Sequence, residues 1–151
     1  MAEKRKLKSS APKSDSGFTA EEQAAARARV REMRARSRGT KVDGEAEVRA
    51  AIAAMAPADR AIAQRFHALM RTHAPALTPR TWYGMPAYSK GDQVLCWIQN
   101  AGKFKVRYSS VGFSDEAHLD DGHMWPIAYA LTELTDVEEA KIVALVKRAL
   151  G

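Results

Sequence analysis

A chain of 151 residues with a formal net charge of +6 and 46% hydrophobic residues has the size and composition of one domain with a true core, plus an extension. Its single cysteine, Cys96, excludes an intramolecular disulfide and a cysteine-built zinc site. No apolar run reaches the length of a membrane span, and the basic start lacks the apolar core of a signal peptide, so a cytoplasmic protein without membrane contact is expected.

The charge is unevenly placed. Residues 1–44 hold twelve Lys/Arg against six Asp/Glu, whereas residues 45–151 are balanced at twelve against twelve. Residues 1–17 set Lys4, Arg5, Lys6, Lys8 and Lys13 among Ser, Ala and Pro, and read as a disordered basic tail that cannot offset its ordering entropy. Residues 18–44 read as a helical extension and linker. Thr19 and Glu22 form a capping box, and the helix is expected to run to about Arg38 and stop at Gly39. Ala26, Val30 and Met33 give this helix a thin apolar face. Arg27, Arg31, Arg34 and Arg38 give it a cationic stripe, which is either a solvated face or a ridge for nucleic-acid phosphates. No aromatics interleave with it, which argues against single-strand binding.

From residue 45 onward the pattern is that of a packed domain. Val48, Ile52 and Met55 share a helical face; Pro57 opens a second helix whose Ile62, Phe66, Leu69 and Met70 form one buried stripe. His67 and His73 near its end read as structural. Next comes Trp82-Tyr83-Gly84-Met85-Pro86-Ala87-Tyr88, aromatic-loaded and kinked by glycine and proline, in the manner of a strand edge or a pocket mouth. Val94, Cys96 and Ile98 alternate with Leu95 and Trp97, as Phe104, Val106 and Tyr108 alternate with Lys103, Lys105 and Arg107. A hairpin around Asn100-Ala101-Gly102 would pair Gln99 with Lys103, setting Ile98 by Phe104, Cys96 by Val106 and Val94 by Tyr108 on the core face. Its other face would carry Trp97 beside Lys105 and Leu95 beside Arg107. That face is either solvent-facing or a cationic row for an anionic ligand.

Residues 114–124 gather Asp115, Glu116, Asp120 and Asp121 with His118 and His123. If Ser114 caps a helical turn, Glu116 and Asp120 share a face, and the donor set suits Fe2+ or manganese; a solvated acidic loop is the alternative. After Trp125-Pro126, Ile127, Tyr129 and Leu131 alternate as a strand. Thr135 and Glu138 then cap a last helix that buries Ile142, Leu145, Val146 and Ala149.

The Thr81–Tyr88 run, Phe104-Lys105-Val106-Arg107-Tyr108, Gly112-Phe113-Ser114-Asp115-Glu116 and Trp125-Pro126 resemble the bacterial YdhG-like family of small domains of unknown function, over residues 45–151. The resemblance implies an α+β, frataxin-like two-layer sandwich with helices on one face of an antiparallel sheet. It also implies an iron-chaperone role beside iron–sulfur or haem assembly proteins, through Asp115, Glu116, His118, Asp120 and Asp121. Frataxin-like chaperones are acidic, whereas this chain is basic. From the residues themselves, a second reading is a binding module for a small anionic ligand or protein partner through Trp82, Tyr83, Tyr88, Trp97, Lys105 and Arg107. A third is nucleic-acid association through Arg27, Arg31, Arg34 and Arg38. No phosphate loop, nucleophile elbow or Cys/His nucleophile spacing is present, so no enzymatic activity is expected.

Overall fold

The computed structural model describes residues 17–39 and 42–151. Residues 1–16 of the expected tail, and Thr40 and Lys41 of the expected linker, lie outside the described residues. Among the described residues the order is α1 (Ala20–Ser37), α2 (Gly44–Ala53), α3 (Pro57–His73), β1 (Thr78–Trp82), β2 (Met85–Lys90), β3 (Gln93–Gln99), β4 (Ser109–Phe113), β5 (Ala128–Leu131) and α4 (Asp136–Leu150). The five strands form one antiparallel meander in the order β1-β2-β3-β4-β5. The fold class is α+β.

Local chemistry accounts for the helices. Thr19 and Thr135 each accept an amide hydrogen bond and receive a glutamate back in reciprocal caps, Glu22 for α1 and Glu138 for α4. Asp43 caps α2 by accepting from the Ala46 amide, and Pro57 sits in the first turn of α3. Phe66, Leu69 and Met70 of α3 pack with Tyr88, Cys96, Ile98, Val111 and Phe113 of the sheet and with Ile142, Val146 and Ala149 of α4. Val48, Ile52 and Met55 of α2 form a second cluster with Ala63 of α3. Arg65 ties α3 to α4, its Nη2 lying 2.6 Å from both Asp136 Oδ1 and Glu139 Oε2.

This packed face of the sheet holds one buried polar chain. His67 Nδ1 lies 2.8 Å from Tyr88 Oη, and its Nε2 lies 2.7 Å from Glu45 Oε1. Burial pushes the Tyr88 phenol far above its ordinary range and the Cys96 thiol up to about 12, so neither ionises near neutrality.

One strand expectation is sharpened and another is corrected. The kinked Trp82–Tyr88 stretch is a tight hairpin: Trp82 pairs with Met85, and Tyr83 (φ 53°) and Gly84 (φ 76°) both take left-handed backbone. The partner of β3 is Ser109–Phe113 instead of Lys103–Tyr108, with Cys96 opposite Phe113, Ile98 opposite Val111 and Gln99 opposite Ser110. Residues 101–103 wind into a 3-10 turn because Asp59 accepts from the Gly102 amide at 2.9 Å and from Asn100 Nδ2 at 3.0 Å. Ser109 Oγ accepts from the Ala101 amide across the loop. Phe104, Val106 and Tyr108 therefore never enter the sheet.

A register shift between Tyr88 and Ser89 also exchanges two neighbours. Leu95 joins Cys96 in the core, and Val94, expected inside, lines a groove on the other face. The expected β5 alternation holds for Tyr129 and Leu131, while Ile127 precedes the strand and is exposed.

Candidate functional site

The other face of the sheet is built from one row. Arg80, Ala87, Trp97, Gly112 and Ala128 stand opposite one another across all five strands. Long side chains alternate with small ones, which leaves room for the long ones to lie down. A Cβ on Gly112 would fall 2.4–2.8 Å from three atoms of the Trp97 indole, so the ring rests flat on that glycine. Trp82 packs on Trp97 at 5.0 Å between centroids and on Tyr83 at 4.9 Å.

Helix α1 flanks this face along β1. Both oxygens of Glu32 accept the consecutive amides of the hairpin turn, Oε2 from Tyr83 and Oε1 from Gly84, each at 3.0 Å. Arg29 lies over the Tyr83 ring at 5.7 Å. The expected docking face is corrected: Ala25 is buried, whereas Val30 and Met33 point to solvent. A face of small residues lets the backbone approach closely, and the Glu32 contacts fix its height. The stripe Arg27, Arg31, Arg34 and Arg38 is exposed on the same helix.

Between α1 and the sheet runs a groove of about 460 Å³, floored by Trp82, Trp97 and Val94 and walled by Arg29, Arg80, Asp115 and Glu116. Arg80 is its decisive residue. It is only 5% exposed, and its Nε is buried without a hydrogen-bond partner. Among the described residues no carboxylate lies within ion-pair distance of its guanidinium. Burial and then the nearby Arg36 and Arg29 pull it down to about 10, against weaker opposition from Glu32 and Asp92. Arg29 Nη1 and Ser89 Oγ are likewise buried without partners. Ser89 and Arg80 also share a smaller chamber of about 100 Å³ beneath α1, with Arg36 in its wall.

The residues proposed from sequence separate into two groups. Trp82, Tyr83 and Trp97 come together on this face. Tyr88 does not: adjacent strand residues point to opposite sides, and it is sealed in the core against His67. The cationic row does not form, since its residues lie in a loop. Lys105 pairs with Glu21 of α1 at 2.8 Å, and Arg107 stacks on Tyr108 at 5.2 Å. Lys103 is half-buried by the turn, where desolvation lowers its pKa. Arg80 and Arg29, which supply the cationic side instead, were not anticipated. A lone arginine alternating with Pro79 and Thr81 just before an aromatic pair was the one signal available.

Asp115, Glu116, His118, Asp120, Asp121 and His123 lie on exposed turns, and the helical face expected for Glu116 and Asp120 does not form. The chain there is tied to α4 by its backbone. The His118 amide donates to the Ala149 carbonyl, and Arg148 donates to the Leu119 and Asp120 carbonyls. Among the described residues no three His, Cys, Asp or Glu side chains converge in a way that could hold a metal ion. Nor is any described helix long and apolar enough to cross a membrane.

No family model, curated protein or solved structure matches the chain.

Proposed function

We propose that this protein is a non-enzymatic binding module of frataxin-like architecture that holds a small anionic ligand in the groove beside Arg80. One observation carries the reading: among the described residues, Arg80 is only 5% exposed, its Nε has no hydrogen-bond partner, and no carboxylate lies within ion-pair distance of it. Burying an unpaired charge costs several kcal/mol, so a fold keeps one where something else supplies the pairing. An incoming carboxylate or phosphate would do so through charge-assisted bonds, with Arg29 as a second donor and the indoles of Trp82 and Trp97 excluding water.

The test is titration of the full chain with inorganic phosphate, citrate and glutarate, followed by calorimetry and tryptophan fluorescence. At least one should bind and perturb the Trp82/Trp97 emission, and Arg80→Met should abolish that binding. Equal binding by the variant, or none by the native protein, contradicts the reading.

The iron-handling role implied by the YdhG-like resemblance, with Fe2+ bound by Asp115, Glu116, His118, Asp120 and Asp121, draws no such support from geometry. Those side chains are solvated and do not converge. Nucleic-acid association through Arg27, Arg31, Arg34 and Arg38 has their shared exposure in its favour, but no aromatic lies among them.

A further inference from the structure

The groove's charge is not uniform. Its cationic side belongs to β1 and α1, through Arg80 and Arg29; its far side, beyond the end of β4, carries Asp115 and Glu116. Between the two the floor is made by Trp82, Val94 and Trp97, while Asp92 and Gln93, at the start of β3, also line the groove. Three inter-strand steps separate β1 from β4, which places the two walls' backbones roughly 14 Å apart. No direct ion pair bridges the two walls: among the described residues neither Arg80 nor these two acids has an ion-pair partner. Arg29 is engaged only at the edge of range, 3.8 Å from the Glu32 Oε2 that already accepts the Tyr83 amide.

We infer that the ligand of this groove is a small linear zwitterion, with a carboxylate at one end and an ammonium at the other, separated by an apolar chain. This rests on the anion-binding reading above and specifies its ligand class. The carboxylate sits on the Arg80 guanidinium and takes a second bond from Arg29, satisfying donors that are otherwise orphaned. The methylene chain lies over the indoles. The ammonium meets Asp115 and Glu116, which a dianion of the same length would face as like charges. Asp92, at the turn end, acts on Arg80 only at long range and is not in contact with it.

The experiment uses three five-carbon probes that differ only in their end groups: δ-aminovalerate, glutarate and cadaverine. Each is titrated into the full chain by calorimetry at low salt. δ-Aminovalerate should bind about tenfold tighter than glutarate, a preference of the size that exposed acids and like-charge avoidance supply. Cadaverine should not bind. Asp115→Asn with Glu116→Gln, both at exposed positions, should remove that preference and leave glutarate binding intact or stronger; Arg80→Met should abolish binding of both acids. Arg80-dependent binding in which glutarate equals or exceeds δ-aminovalerate overturns the zwitterion assignment and leaves the anion site standing. If neither acid binds in an Arg80-dependent way, the zwitterion assignment falls, and the anion reading falls with it only if phosphate and citrate also fail to bind.

Discussion

The two faces of the sheet solve opposite problems with the same backbone. On the packed face, Phe66, Leu69, Met70, Tyr88, Cys96 and Phe113 bury one another, and the polar His67 is paired at both ring nitrogens. On the groove face, Arg80 Nε, Arg29 Nη1 and Ser89 Oγ are buried without hydrogen-bond partners, although Arg29 Nη1 has a Glu32 oxygen at 3.8 Å. The packed side has orphan atoms too, Glu45 Oε2 and Arg60 Nε, but Glu45 still has Arg71 Nε at 3.4 Å. Arg80 has no such neighbour. One face is therefore organised for stability, while the other retains a charge that costs stability. That contrast is what the proposed binding reading rests on.

Mutations that probe this contrast should separate in size. Phe66, fully buried at the centre of the packed face, sets the upper end. Phe66→Ala should lower the unfolding free energy by about 3–5 kcal/mol, read from the urea midpoint. Gly112→Val comes next: the added side chain drives into the Trp97 ring, and about 1–3 kcal/mol should be lost. Unlike the Phe66 change, it should also shift tryptophan emission and remove ligand binding, because the groove floor goes with the ring. A fluorescence spectrum identical to the native one would show that Trp97 does not rest on residue 112. Smallest is Lys105→Ala, which removes a solvated ion pair to Glu21 from the loop once expected to be a strand. Neither the urea midpoint nor ligand affinity should move measurably.

The fold was legible where pattern and packing coincide. The α3 stripe and the two reciprocal caps say in sequence what they do in space. The β3 partner was not legible, because Phe104, Val106 and Tyr108 alternate better than Ser109-Ser110-Val111-Gly112-Phe113. What decides between them is a tertiary contact: Asp59, far back on α3, holds the 3-10 turn that takes residues 104–108 out of register. The bulge at Tyr88/Ser89 is equally silent in sequence, yet it decides whether Val94 or Leu95 faces the core.

For the site, the aromatics were visible and their cationic partners were not. Lys105 and Arg107 stood next to Trp97 only on the assumed register, and lost it with that register. Arg80 reaches the groove through a cross-sheet row with Trp97, and Arg29 reaches it through a helix whose docking rests on Glu32 and the turn amides. Neither relation has a local signature. Val30 and Met33 misled in the same way, since periodicity marks an apolar face without saying whether anything covers it.

The central claim is that Arg80 is held against the interest of the fold. Burial, and then the nearby Arg36 and Arg29, pull its pKa well below the ordinary arginine range, to about 10. Above about pH 10 the unfolded chain therefore binds more protons than the folded one, so the penalty is fully present below about pH 10 and fades as the pH rises toward the ordinary arginine range. The direct measurement is urea unfolding of native protein and Arg80→Met, at neutral pH and again above pH 10. The account predicts a variant more stable than the native protein by about 1–3 kcal/mol at neutral pH, with the gap narrowing in alkali. A variant less stable at neutral pH would mean that Arg80 serves the fold, and would contradict the account.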